Sequence, residues 1–154
     1  MKRLLALLLL LGCSTAPTAP TPTKSTSLEG RFLLQEVAQP TSTSPQMFPA
    51  EDWAKGLTLL QNPSSILLQK GKLSADGVLA LSGTITGEVK GQLVQFMVAE
   101  DDGATRLELR FEGVYDSTNE RIEGKLTQRW ELSSEEETGG VTLTGKATFV
   151  RKEP

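Results

Sequence analysis

The side chains able to do covalent or acid–base chemistry are few, and their spacing does not suit catalysis. Among 154 residues there is no histidine and one cysteine, Cys13. Without imidazole the chain lacks the commonest general base, proton shuttle and metal ligand. No Ser-x-x-Lys and no Gly-x-Ser-x-Gly occurs, so no serine has the sequence setting of an activated nucleophile. Carboxylates cluster at Glu100-Asp101-Asp102-Gly103 and at Glu135-Glu136-Glu137. With no nitrogen or sulfur ligand beside them, only a hard cation such as Ca²⁺ or Mg²⁺ would suit, and neither run matches an EF-hand loop. Glycosidase chemistry needs two acids brought face to face. Most acids here instead alternate with Lys and Arg, as cross-strand ion pairs on a wet sheet face would. The sequence predicts no catalytic residue, no metal site and no cofactor. What remains is the thiol of Cys13.

Cys13 ends a distinctive run. Lys2 and Arg3 form a basic start, Leu4 to Leu11 an apolar stretch, and Gly12 precedes the cysteine. Eight apolar residues fall far short of the roughly 20 needed to cross a bilayer, and the layout is that of an export signal. Leu10-Leu11-Gly12-Cys13 resembles the lipobox of bacterial lipoproteins. The resemblance implies that diacylglycerol is attached to Cys13 and that the chain is cut before it, Gly12 being the small residue on the scissile side. It also implies anchoring to the membrane through that covalent lipid, since two or three acyl chains hold stably where one does not. Ser14 stands where inner-membrane retention uses Asp, which implies the periplasmic side of the outer membrane in a two-membrane cell.

Cleavage would remove 12 of the 154 residues and, with them, two of the 16 basic side chains, leaving 14 against 19 acids and a net charge of −5. Such a chain offers nucleic acid no basic surface, so no nucleic-acid partner is expected. A lone cysteine consumed by the lipid leaves no disulfide. Residues 13–27, Cys13 followed by Ser, Thr, Ala, Pro and one Lys, cannot bury apolar area and read as a disordered tether. The fourteen residues after Cys13 span roughly 40 Å when extended.

Residues 28–154 read as one all-β domain of a usual size. Thr105, Leu107, Leu109, Phe111, Gly113 and Tyr115 share one face; Ile122, Gly124, Leu126, Gln128, Trp130 and Leu132 repeat the pattern, as do Val141, Leu143, Gly145, Ala147 and Phe149. Strands are expected at 28–38, 56–61, 65–74, 78–86, 89–99, 104–115, 121–133 and 141–151, with turns at Ala75–Gly77, Asp101–Gly103, Asp116–Glu120 and Ser133–Gly140. Eight strands in sequence predict an antiparallel meander closed as a small barrel, the first strand pairing with the last. Pro49 to Gly56 carries the start and stop signals of a short helix, near residues 49–55, which would lie across one mouth with Trp53 as a plug.

A large apolar residue, a polar one and glycine recur in that order, ending at Gly30, Gly83, Gly87, Gly91, Gly113, Gly124 and Gly145. The spacing directs these glycines inward. They serve either to bend strands and admit large neighbours in a filled barrel, or to leave room for a ligand, or to mark bulges in an open sandwich. Gln128 and Gln95 fall on the inward face, where an amide needs a partner: another protein group, a water or the polar end of a ligand. Leu93–Val98 is apolar on both faces, so it is either covered from outside by the segment 39–56 or a contact surface.

The meander with a helix across its mouth resembles the lipocalin and wider calycin architecture. Lipocalins open their first strand with Gly-x-Trp, where this chain has Gly30-Arg31-Phe32, and pack a basic residue of the last strand over that Trp, for which Arg151 or Lys152 is the counterpart. The family's Thr-Asp-Tyr-like motif is absent. The expectation is a non-catalytic, lipid-anchored envelope barrel holding a small apolar or amphipathic ligand, with Trp130, Tyr115, Phe111, Phe149, Gln128 and Trp53 as its wall. The alternative is a structural or interaction protein of the envelope with a solid core.

Overall fold

The segments with the cleanest alternation become three long paired strands. In the computed structural model, which describes residues 28–58, 64–80, 84–133 and 138–153, these are β6 (Thr105–Asp116), β7 (Arg121–Ser133) and β8 (Thr138–Arg151). They are preceded by β1 (Gly30–Ser42), the helix α1 (Ala50–Thr58), β2 (Ser65–Gln69), β3 (Lys72–Asp76), a single 3-10 turn (Gly77–Ala80), β4 (Thr84–Lys90) and β5 (Leu93–Asp101). The sheet order is β3-β2-β1-β8-β7-β6-β5-β4, antiparallel throughout. β1 and β8 pair from Phe32 opposite Arg151 to Ser42 opposite Leu143, with two register shifts between. β3 and β4 lie close across the remaining seam. The molecule is therefore an all-β, eight-stranded meander in a nearly closed barrel with one short helix.

Every second residue of β6 is buried, from Leu107 to Tyr115, and Arg106, Arg110 and Glu112 point out. The interior carries an aromatic layer. Phe96 stacks on Phe111 at 5.2 Å between centroids, and Phe149 meets Phe111 edge-on at 5.0 Å and Phe96 at 6.3 Å. Leu109, Leu126, Ile122 and Val94 complete it without measurable exposure. Burial of this size supplies most of the folding free energy, at about 1.5–3 kcal/mol per large side chain.

The glycines in this layer are packed against. The ring of Phe111 lies over Gly113, whose Cβ would also meet the Glu123 carbonyl at 2.8 Å. Val37 fills the space at Gly145, and at Gly87 a Cβ would meet the Gln95 carbonyl oxygen at 2.6 Å. Gly91 departs from the pattern: its φ of 61° places it in the β4–β5 turn, facing open space. Gly83 lies outside the described residues.

Five sequence expectations need correction. The strand expected at 56–61 begins inside α1, which runs through Gly56 to Thr58; residues 59–61 lie outside the described residues. The run 65–74 is two strands, because Lys70 and Gly71, with φ of 51° and 72°, make the left-handed pair of a tight hairpin. Ala75–Gly77 leads into the 3-10 turn instead of a hairpin, and the next turn falls at Gly91, four residues later than a strand ending at residue 86 requires. The last two errors share a cause. Both faces of 93–98 are apolar, so alternation could not choose between them. The larger buried set, Val94, Phe96 and Val98, takes the inside, and Gln95 faces out. The segment 39–56 does not cover this strand: 39–42 belong to β1, and α1 packs on β1 and β8.

Ion pairs on the wet face run mostly along strands, two residues apart, as in Arg106–Glu108–Arg110, Arg121–Glu123 and Arg129–Glu131, rather than across them. Glu123–Lys146 is a cross-strand exception. Acids also hold two turns. Asp102 accepts from the backbone N–H groups of Thr105 at 2.6 Å and Ala104 at 3.0 Å, and those bonds, Thr105 first, hold its carboxyl below the ordinary range. At Asp116 the side-chain amide of Asn119, then the Thr118 N–H, act likewise; at Glu108 it is the hydrogen bond from Arg110. A carboxylate with a depressed folded value contributes stability above its unfolded pKa of about 4 and loses it as pH falls through the folded value. With no histidine, thermal unfolding followed by circular dichroism should give a Tm flat from about pH 5 to 8 and falling below about pH 4. A bell centred near pH 6.5 would contradict this.

Candidate functional site

The two ends of the barrel are closed by different means. β1 ends at Ser42 and Thr43, which is tied to Thr142 by a backbone hydrogen bond of 3.0 Å. The chain then turns over this end and forms α1, with Glu51 and Asp52 in its first turn, Lys55 in its last, and Ala54 and Leu57 buried beneath it. From this helix Trp53 reaches into the barrel. Its Cζ3 lies 3.5 Å from where a Cβ on Gly145 would stand, and its Nε1–H donates to Oε1 of Gln128 at 2.6 Å. Gln128 is 6 % exposed, and no other hydrogen bond reaches its amide among the described residues. The expected plug is thus in place, and the buried amide has its partner on the helix instead of on the barrel wall.

Register defines what surrounds this latch. Below the rim row of Thr105, Leu132 and Gly139, an inward row runs Glu100, Leu107, Trp130, Val141, and the row beneath it Ile85, Val98, Leu109, Gln128, Leu143. Leu107, Val141 and Leu143 are buried, yet they stand apart from the main core, which begins at Leu109 and Val98. Of the residues expected to form one wall, Trp53, Gln128 and Trp130 gather here. Phe111 and Phe149 lie lower, in the packed aromatic layer, and Tyr115 lies at the far end. Glu100, Leu107, Val141 and Leu143 went unrecognised as neighbours of this site. For Glu100 the signal was its parity with Phe96, which the ambiguous β5 concealed.

The far end is closed by Arg151. Its guanidinium lies 4.9 Å from the Phe32 ring centre and 5.9 Å from that of Tyr115. Nη2 donates to the Tyr115 hydroxyl at 3.0 Å, Nη1 donates to the Glu29 carbonyl, and Nε lies 3.2 Å from the Glu120 carboxylate. Gly30, with φ of 132°, brings the chain past this group, where a Cβ would stand 2.6 Å from Nη1. A basic residue of the last strand over the aromatic of the first is the packing that Gly30-Arg31-Phe32 and Arg151 led us to expect.

A third feature lies outside the barrel: an open groove of about 790 Å³ across β4–β7, between outward rows that include Glu88, Gln95, Met97, Arg110, Glu112 and Lys125. Its walls are long side chains of mixed charge. Among the described residues no set of three His, Cys, Asp or Glu side chains is placed to hold a metal, and no helix is long and apolar enough to cross a membrane. Cys13 lies outside the described residues. No protein-family model, curated protein or solved structure matches the chain.

Proposed function

We propose that this is an exported lipoprotein, anchored through lipid on Cys13, whose lipocalin-like barrel binds a small apolar or amphipathic ligand at the mouth closed by α1 and catalyses no reaction. The observation that carries the reading is the hydrogen bond from Trp53 Nε1–H to Gln128 Oε1. A barrel that only had to fold would be more simply filled by an apolar side chain at 128, because a buried amide adds stability only when its bonds are complete. Here the amide is half used, and its partner sits on an element that can leave without breaking a strand ladder. Swinging the indole out would open a space lined by Gly145, Leu143 and Gln128, large enough for a group of indole size. The sealed aromatic layer limits the depth of the site to the mouth.

The geometry also gives the site a direction. Leu28, where the tether joins, lies at the Arg151 end, and the mouth lies at the other. An anchored barrel would therefore be tethered from the end opposite its mouth. The second reading, an envelope interaction protein with a solid core, draws support from the mutual packing of Phe96, Phe111 and Phe149.

Intrinsic fluorescence separates the two, because both tryptophans of the chain, Trp53 and Trp130, border the mouth. Titration of the domain with 1-octanol is expected to give a saturable change in emission. Gln128→Met, which keeps length but removes the latch, should red-shift the ligand-free spectrum as Trp53 moves toward water. An emission that ignores octanol, together with protein purified without detergent that carries no extra mass in native mass spectrometry, would overturn the binding reading in favour of the solid barrel.

A further inference from the structure

The mouth also carries a charge that the fold does not use. Glu100 belongs to the inward parity of β5, following Val94, Phe96 and Val98, and it opens the row that continues through Leu107 and Trp130. Among the described residues it has neither an ion-pair nor a hydrogen-bond partner. The nearby cations are already taken: Arg106 faces Glu108, and Arg129 faces Glu131. Glu51 and Asp52 add two exposed acids on the covering helix, against Lys55. One carboxylate thus stands at the rim with no counter-ion of its own, in the same inward row as Trp130 and one row out from Gln128.

We infer that the ligand of this mouth is an organic cation, an ammonium group on an apolar body. This deepens the binding reading proposed above and rests on it. Three parts of the site fit the class. Glu100 supplies the opposite charge at the head of the row Leu107, Trp130 and Val141. Trp130 offers an aromatic face, which attracts ammonium groups through the ring quadrupole. Leu107, Val141 and Leu143 take the apolar body. The same acids work against anionic amphiphiles such as fatty carboxylates, which meet a like charge at the entrance. The unpaired carboxylate is tolerated in the free protein because it sits at the exposed rim, and it gains its partner only when the site fills.

Octylammonium, 1-octanol and octanoate test this as probes that share one tail and differ in head group. With the whole domain, tryptophan emission should report affinities in the order octylammonium, octanol, octanoate, with the cation bound about 5- to 10-fold more tightly than the alcohol. Glu100→Gln should bring the octylammonium-to-octanol ratio close to one. If octanol binds but octylammonium binds no better, or if the ratio survives Glu100→Gln, the cation inference falls and the binding reading stands. If none of the three changes the emission, both fall together.

Discussion

Gly124→Ala is expected to remove most of the stability of the domain. Gly113 and Gly124 face each other across β6 and β7 on the inward side. A methyl group on Gly124 would stand 2.7 Å from the Glu112 carbonyl carbon, and nearer still to its oxygen and to the Cα of Gly113. These neighbours are backbone, so no rotamer change relieves the overlap. The two strands would have to separate where they carry the ladder between the aromatic layer and the Arg151 end. Losses above about 4 kcal/mol are exceptional for one substitution, and overpacking against backbone is one of the routes to them. Against a total of roughly 5–15 kcal/mol, such a loss leaves little folded protein at ambient temperature. Circular dichroism should show a Tm lowered by at least about 12 °C, or no cooperative transition at all. Gly139→Ala is the control. It sits in β8 with open space where its Cβ would be, and should stay within about 0.5 kcal/mol of the parent. Equal behaviour of the two variants would mean that the close approach of β6 and β7 is not a requirement of the fold.

That close approach explains how far the sequence could be read. The alternation of β6, β7 and β8 predicted their inward faces residue by residue, because each has one charged face and one apolar face, so only one phase buries the apolar set. Closure of β1 on β8 followed from strand number and the cost of leaving edges open. The hairpin at Lys70-Gly71 was not legible, because Gln69-Lys70-Gly71-Lys72 lies within a run whose apolar residues continue on either side. β5 failed for a different reason: Leu93-Val94-Gln95-Phe96-Met97-Val98 has no polar phase, and the choice was made by the cluster Phe96 forms with Phe111 and Phe149. The candidate site shared that fate. Trp53 and Gln128 were each legible, one as a helix residue over the mouth and one as an inward amide. Their meeting across 75 positions was not. The six candidate wall residues lie at inward or mouth-facing positions, but side-chain period alone gives no depth along a barrel. It could not separate the mouth, with Trp130 and Gln128, from the packed layer of Phe111 and Phe149.

Arg151→Met should destabilise the domain without touching the mouth, and that separation makes it informative. The substitution keeps an unbranched stem over Phe32 and removes the guanidinium. It leaves the buried Tyr115 hydroxyl and the Glu29 carbonyl without this donor, and Glu120 without its cation. A buried group that loses its partner costs about 1–3 kcal/mol. The Glu120 pair counts for less, since that carboxylate is partly in water. The sum should be near 3 kcal/mol, or about 10 °C in Tm for a domain of this size. Arg151→Lys should recover less than half of it: an ammonium restores the charge but cannot reach three partners at once or lie flat on the Phe32 ring. Crossing Arg151→Met with Phe32→Leu isolates the stacking component, for which a coupling of about 0.5–1 kcal/mol is expected. Octanol titration of Arg151→Met at a temperature where it remains folded should give the parent's change in tryptophan emission, because both tryptophans lie at the opposite end. Loss of that response with the fold intact would mean that the two closures are coupled and that the mouth depends on the far end of the barrel. A cost below about 1 kcal/mol would mean that this end is sealed by the apolar packing of Phe32, Ile66 and Tyr115, with the arginine lying over it as a passenger.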